Sequence, residues 1–186
     1  MSQNVPVVER ILSANDRLAL ANRAAIDAAG IFSINIMASP GAGKTSLIEQ
    51  TVRALRGKLR VGMINGDIAT SLDADRAVAA GASAVQINTG GECHLDAVML
   101  HDALPRLELK SIDMLIVENV GNLVCPAGFA LGTHKSVLVA SIPEATTNLI
   151  SIPVCIAAYR QWSSTRSICC LMFSSAWTTS RRALRL

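Results

Sequence analysis

The chain has 186 residues, of which 51% are apolar and 17% are charged, and this composition excludes intrinsic disorder as a description of the whole chain. The length suits one domain. No apolar run approaches the roughly 18 residues of a membrane span, and residues 1–10 lack the basic-then-apolar pattern of a secretory signal. The five cysteines then favour reduced thiols or metal ligands over disulfides. We expect a cytoplasmic protein without a membrane partner.

The charge changes sharply along the chain. Residues 1–144 contain 12 basic and 14 acidic residues, whereas residues 145–186 contain five arginines, no acid, no lysine and no glycine. A shifted reading frame or altered gene end would explain this, and so would a basic tail that binds a membrane or nucleic acid. Because the five arginines are too dispersed for a patch, we favour the first explanation and expect no nucleic-acid partner.

Apolar runs and turn residues predict alternating helices and strands. We expect helices at 5–29, 45–55, 71–80 and 94–104, and strands at 31–37, 59–65, 84–87, 112–117 and 136–140. This alternation predicts an α/β fold, in which helices cover both faces of a mostly parallel sheet. The carboxyl ends of the strands then share one edge, which is where such folds bind ligands.

A glycine-rich segment between the first strand and the second helix fits the phosphate-loop pattern, with Ala38 where the strict form has glycine. Its glycines allow successive backbone N–H groups to point inward, and the helix that follows favours an anion at its amino end. Lys44 would reach the β- and γ-phosphates, and Thr45 would bind Mg²⁺. The expected nucleotide-binding residues are Ser39, Pro40, Gly41, Ala42, Gly43, Lys44, Thr45 and Ser46.

Two acids stand at the ends of apolar strands near this loop. Asp67 ends the second strand and Glu118 ends the fourth, and both suit Mg²⁺ or its bound water. With Lys44 and Thr45 they form the expected catalytic set. Gly121 could let a backbone N–H approach the γ-phosphate. Asp73 and Asp75 are expected on a solvated helix face.

Two thiols and an imidazole fall in loops at the same predicted edge. Cys93 and His94 follow a glycine pair, and Cys125 follows the loop after Glu118. This donor set suits Ni²⁺ or Zn²⁺ and fills three tetrahedral positions, so water, another side chain or a second subunit would supply the fourth. However, an adjacent Cys and His do not have the spacing that is typical of zinc fingers. The alternative is that these are ordinary structural residues that bind no metal. His101 and His134 are expected to be surface residues.

The motifs together resemble those of the HypB family, the nickel-insertion GTPases of [NiFe]-hydrogenase maturation. The resemblance covers residues 8–144 and rests on the segments ASPGAGKT (38–45), GD (66–67), GECHLD (91–96) and ENVGNLVCP (118–126). The related urease nickel GTPases share the phosphate loop but differ after the acidic strand.

The resemblance implies a P-loop GTPase of the SIMIBI class that binds GTP with Mg²⁺ and forms a homodimer with nucleotide. It implies that Cys93, His94 and Cys125 bind Ni²⁺ or Zn²⁺ across the dimer. The implied partners are a zinc-containing nickel chaperone of the same pathway and the hydrogenase large-subunit precursor. The chain then divides into an N-terminal helix (1–30), an incomplete GTPase domain (31–144) and an aberrant, frame-shifted basic tail (145–186).

The chain departs from the family in two ways. Residues 1–37 contain no cysteine or histidine, whereas the family often has a metal-binding segment there. The guanine-reading Asn-Lys-x-Asp motif occurs nowhere in the chain. We therefore expect the C-terminal part of the G domain to be missing or replaced, with an exposed apolar sheet edge and impaired activity.

Two other functions fit part of this pattern. A small-molecule kinase would explain the phosphate loop but not Cys93, His94 and Cys125. A metal-storage module without hydrolysis would explain the three ligands but not Lys44 and Thr45.

Overall fold

The computed structural model describes residues 7–67, 72–141 and 168–173, with side chains described from 14 to 67 and from 72 to 139. Its helices are α1 (Val7–Ala28), α2 (Lys44–Leu55), α3 (Leu72–Ala80) and α4 (Ala97–Ala103). Its strands are β1 (Phe32–Ala38), β2 (Val61–Asp67), β3 (Ser83–Asn88), β4 (Met114–Glu118), β5 (Lys135–Ser141) and β6 (Ile168–Phe173). Short 3₁₀ turns lie at Leu104–Arg106, Leu109–Ser111 and Cys125–Gly128.

The six strands form one sheet in the order β3-β2-β4-β1-β5-β6, and every neighbouring pair is parallel. The phosphate-loop strand β1 lies between β4 and β5, with Ile36 in register with Glu118 and Val137. Because the strands are parallel, the segments after β1, β2, β3 and β4 all leave from the same edge.

Side chains alternate between two apolar layers, one on each face of the sheet. On β4, Leu115 and Val117 face the layer that contains residues of α1 and α4, whereas Ile116 faces the layer that contains residues of α2 and α3. These three side chains are completely buried. Burying one such side chain contributes about 1.5–3 kcal/mol, so the two layers fix both helix pairs on the sheet. The predicted α/β architecture with helices on both faces is confirmed.

The structure corrects several local expectations. The fourth helix begins at Ala97 rather than at residue 94, because the Asp96 carboxylate accepts the Met99 N–H at 2.8 Å and caps the helix there. Gly66 and Asp67 belong to β2, which therefore extends two residues beyond the expected end of the strand at residue 65. The helix expected at 71–80 is described from Leu72, and residue 71 lies outside the described residues.

The side of the sheet next to β5 also differs from our expectation of an exposed apolar edge. β6 pairs with β5 over six residues, from Ser136–Ile168 to Ser141–Phe173, so β5 is not an exposed edge strand. The rest of the segment 145–186 lies outside the described residues, and its frame-shifted origin stays a prediction.

His134 is not a plain surface residue either. Its Nε2 lies 3.0 Å from the Asp27 carboxylate, and its Nδ1 lies 2.8 Å from the Ser33 hydroxyl. These contacts join the end of α1 to the starts of β1 and β5, at the sheet edge opposite the phosphate loop. Burial, followed by the positive charge of Arg23, lowers the pKa of His134. His101 is exposed as expected, although its Nδ1 lies 2.9 Å from the Asn22 amide oxygen.

Candidate nucleotide and metal site

The phosphate loop connects β1 directly to α2. Gly41 and Gly43 have φ values of 76° and 90°, in the left-handed region that glycine adopts without strain. Gly43 is the residue before α2 and makes no side-chain cap, and the amino end of a helix in this position favours a bound anion. Lys44, at the start of α2, is 8% exposed. The remaining predicted nucleotide-binding residues, Ser39, Pro40, Ala42, Thr45 and Ser46, lie in the same loop and first helical turn.

Glu118 lies at the end of β4, beside the phosphate loop. Its Oε1 accepts the Thr45 hydroxyl at 2.8 Å, whereas its buried Oε2 has no hydrogen-bond partner. Burial raises the pKa of Glu118 to about 7, against the opposing effects of the Thr45 hydrogen bond and the Lys44 charge. A buried carboxylate oxygen without a partner, next to a threonine hydroxyl, is a pair of hard donors that fits Mg²⁺. These oxygen donors therefore fit the Mg²⁺ ion that accompanies a nucleotide at a phosphate loop.

Two further acids lie around this carboxylate. Asp67 ends β2, two residues beyond Asn65, which is the register partner of Glu118. Asp73, in the first turn of α3, is close enough for its charge to raise the pKa of Glu118. Its side chain is 33% exposed, and Arg76 lies 3.8 Å away. Asp73 is therefore partly exposed and also lies near Glu118, whereas Asp75 is exposed.

Arg76 extends the polar contacts of α3 towards the phosphate-loop helix. Its guanidinium donates to the Glu49 carboxylate at 2.8 Å and to the Ser46 hydroxyl at 3.3 Å. Arg76 thus joins Asp73 to the first two turns of α2. Sequence analysis missed this arginine, because nothing in the local pattern of α3 distinguishes it from an ordinary surface residue.

The loop after β4 packs on the phosphate loop. A Cβ added to Gly121 would lie 3.1 Å from Pro40 Cα and 3.2 Å from Pro40 N. Only a residue without a side chain fits that approach without displacing backbone. The loop that contains Cys125 is therefore in direct contact with the phosphate loop.

The two predicted thiol ligands meet, although they come from different loops. A hydrogen bond with Cys125 is the largest cause of a raised pKa at Cys93, and burial adds to it, whereas the Asn122 amide acts in the opposite direction. His94 Nδ1 lies 3.8 Å from the Cys93 sulfur, and the His94 ring packs on Phe129 with 4.1 Å between centroids. Both thiols are free.

Within the described part of one chain, no three His, Cys, Asp or Glu side chains are grouped closely enough to hold a metal ion. The structure therefore brings Cys93 next to Cys125 and next to His94, but it does not gather all three into one chelate. A complete tetrahedral set needs further donors or a rearrangement of the loops.

Sheet order, phosphate loop and strand-end carboxylate together define a P-loop nucleotide-binding protein. The model of the CobW/HypB/UreG nucleotide-binding domain matches residues 32–153. The chain belongs to this family, as one of its HypB members.

Individual relatives agree with this assignment. The probable hydrogenase maturation factor HypB of Methanocaldococcus jannaschii is 46% identical over 138 residues, which are 74% of this chain and 62% of that protein. The crystal structure of HypB from Archaeoglobus fulgidus is 30% identical with a TM-score of 0.66, and the match covers 86% of this chain and 90% of that one. HypB from Helicobacter pylori, in complex with nickel, is 29% identical with a TM-score of 0.69, and the match covers 87% and 86%.

The chain spans about one half to three fifths of the length of the curated relatives it matches. In the described ranges 7–67, 72–141 and 168–173, no helix has both the length and the apolar character that crossing a membrane requires.

Proposed function

We propose that this chain is a GTP-binding and GTP-hydrolysing metallochaperone that assists nickel insertion into a [NiFe]-hydrogenase. The observation that carries the proposal is the contact between a phosphate-loop site and a soft-donor site at one edge of the sheet. Gly121 abuts Pro40 of the phosphate loop, and Cys125 follows in the same loop beside Cys93. The relatives named as hydrogenase maturation factors, one of them in complex with nickel, support the choice of pathway and metal.

In the proposed nucleotide site, the backbone N–H groups between Gly41 and Thr45 bind the phosphates and Lys44 neutralises their charge. Thr45, Asp67 and Glu118 would hold magnesium, which when bound neutralises charge that develops on the β- and γ-phosphate oxygens. Glu118 acts here as a carboxylate that keeps the Thr45 hydroxyl in place.

Nickel is the cargo of the proposed reaction, and Zn²⁺ competes for the same donors. Cys93 and Cys125 would bind it as thiolates and His94 as a neutral imidazole, since thiolate and imidazole are the ligands these metals prefer. A second copy related by a two-fold axis would supply the missing donors, which makes a homodimer the proposed functional state. The proposed partners are a zinc-containing nickel chaperone, which would deliver the metal, and the hydrogenase large-subunit precursor, which would receive it.

We also propose that the bound nucleotide switches the affinity for nickel, and the contact between Gly121 and Pro40 gives this switch a physical basis. A γ-phosphate that orders the phosphate loop and the loop after Glu118 would also constrain Cys125, four residues after Gly121. Hydrolysis then releases that loop and changes the affinity for nickel.

The test compares GTP turnover and Ni²⁺ binding in the full chain and in three variants. We expect Cys93→Ala to weaken Ni²⁺ binding at least about tenfold while GTP turnover without nickel persists. Lys44→Ala should abolish turnover and keep Ni²⁺ binding. Cys155→Ala removes a thiol that is not one of the three proposed ligands; it is the matched control and should change neither.

Each competing function gives a different result. A kinase would form no GDP from GTP until an acceptor molecule is added, the γ-phosphate would then be found on that acceptor, and Cys93→Ala would not alter this transfer. A storage module would bind Ni²⁺ without turning over GTP at all. Either result contradicts the proposal.

A further inference from the structure

Asn119 joins the nucleotide half of the site to the metal half. It follows Glu118 directly, and it is 1% exposed. Its Oδ1 accepts the N–H groups of Leu95 and Val120, both at 3.0 Å. Its own N–H donates to the Ile36 carbonyl at 2.9 Å, and its Nδ2 donates to the Asn35 amide oxygen at 3.3 Å.

The partners of Asn119 come from three different parts of the chain. Ile36 and Asn35 belong to β1, which leads into the phosphate loop. Val120 begins the loop that contacts Pro40 through Gly121. Leu95 directly follows the Cys93-His94 pair. One buried side chain therefore connects the phosphate-loop strand, the loop after β4 and the loop that holds two proposed metal ligands.

Leu95 has little freedom to move on its own. It is fully buried, and a Cβ on Gly66 would lie only 2.6 Å from two of its side-chain carbons. Gly66 precedes Asp67, so Leu95 is fixed between the end of β2 on one side and the Asn119 amide on the other. Because the interior is close-packed, a displacement of Asn119 has to move Leu95 and the residues beside it.

We propose that Asn119 is a positioning residue that makes the metal affinity of Cys93 and His94 depend on the nucleotide bound at the phosphate loop. This inference rests on the proposed nickel function and names the residue that couples its two sites. Asn119 touches neither ligand and acts through the Leu95 N–H. If this hydrogen bond is lost, the buried Leu95 N–H has no acceptor, and this costs free energy. Two loop arrangements that differ in this hydrogen bond therefore differ in free energy, which is what coupling between two sites requires.

Asn15 offers a matched control. It is also a buried asparagine, and its Oδ1 accepts the Ala97 N–H at 2.8 Å, two residues beyond Leu95. Its Nδ2 donates to the Ala130 carbonyl at 2.9 Å. Asn15 thus holds the same chain segment with the same chemistry, but it does so from α1 and not from the nucleotide edge.

The experiment measures the Kd of Ni²⁺ for the full chain with Mg²⁺ and GDP, and again with Mg²⁺ and a non-hydrolysable GTP analogue. We expect the two Kd values of the wild type to differ at least about fivefold. In Asn119→Ala the ratio should fall to within about twofold of one. In Asn15→Ala it should stay at the wild-type value, even if both variants melt at a lower temperature.

The outcomes separate this inference from the function on which it rests. Equal Kd values in the wild type overturn the nickel switch and the inference together. A wild-type ratio that persists in Asn119→Ala, or one that disappears equally in Asn15→Ala, overturns the inference alone.

A measurement on the wild type covers the case in which Asn119→Ala does not fold. The Leu95 amide should exchange its hydrogen at rates that differ at least about tenfold between the two nucleotide states, because its acceptor is the Asn119 side chain. Equal exchange rates, together with unequal nickel affinities, would refute the role of Asn119.

Discussion

The buried carboxylate of Glu118 costs free energy on folding, and the same feature makes it a suitable ligand for a metal ion. One of its oxygens is bonded to Thr45 and the other is buried without a partner, so the ionised form is poorly solvated in the protein alone. An acid whose pKa is raised on folding binds a proton more tightly in the folded state than in the unfolded one. Its contribution to stability is therefore most favourable at low pH, and it declines as pH rises from the unfolded pKa towards the folded one.

We predict that the free energy of unfolding of the magnesium-free protein falls by about 1–3 kcal/mol as a result of this group when pH rises from 4.5 to about 7. Glu118→Gln removes the charge and keeps an oxygen for the Thr45 hydroxyl. The variant should lose this pH dependence and also lose the stabilisation that we expect Mg²⁺ with nucleotide to give the wild type. Chemical denaturation in EDTA at a series of pH values measures both proteins.

Glu108→Gln serves as the control, because Glu108 is exposed and lies away from the phosphate loop. It should follow the pH dependence of the wild type. If Glu118→Gln also follows the wild-type curve, the carboxylate is solvated and the account of its pKa is wrong.

Among single residues, the sequence predicts those whose function follows from a local motif. Lys44 and Thr45 are placed by the strand-loop-helix pattern, and Glu118 is the acid at the tip of an apolar strand. Asp73 and Asn119 could not be predicted, since their roles depend on contacts between distant segments. The Asn119 amide reaches Leu95 and Asn35, which are 24 and 84 residues away along the chain.

Secondary-structure elements were predictable in kind and order, and their ends were not. The apolar runs give all five strands from β1 to β5 because buried parallel strands are continuously apolar. The start of α4 was wrong by three residues, because the cap formed by Asp96 overrides the helical pattern that precedes it. That cap leaves Cys93 and His94 in a loop, where they can approach the segment after β4.

The contact between that segment and the phosphate loop supports a second prediction. Gly121→Ala should weaken nucleotide binding about tenfold, because its Cβ would lie 3.1 Å from backbone and side-chain carbons of Pro40 and push the phosphate loop aside. Titration of a fluorescent guanine nucleotide against the 186-residue variant measures the change.

Gly128→Ala is the control for this substitution. Gly128 lies in the same loop, and a Cβ added there meets nothing within 4 Å. It should bind nucleotide as the wild type does. Equal affinities for all three proteins would show that the loop after β4 does not constrain the phosphate loop.

For the molecule as a whole, parallel pairing explains why the proposed nucleotide site and the proposed metal site lie at the same edge of the sheet. Loops that follow β1, β3 and β4 leave the sheet at one edge, and this common edge could be predicted from the alternation of strands and helices alone. The strand order β3-β2-β4-β1-β5 could not be predicted, because an apolar run in the sequence does not indicate which strands will be its neighbours. Pairing of β6 with β5 was also missed, since the composition of residues 145–186 gave no reason to expect a strand in the sheet.

The absence of Asn-Lys-x-Asp from the sequence leads to the last prediction. A phosphate loop contacts the triphosphate, which GTP and ATP share, so any selectivity has to come from contacts with the base. A missing carboxylate contact costs about 1–3 kcal/mol, which is about fivefold to 150-fold in affinity. We predict that the Kd values for GTP and ATP lie within about tenfold of each other in calorimetric titrations.

Lys44→Ala should abolish the binding signals of both nucleotides, which would assign them to the phosphate loop. A preference for GTP above about a hundredfold would mean that other residues of the chain read the guanine, and that residues 145–186 have to be considered part of a working nucleotide site.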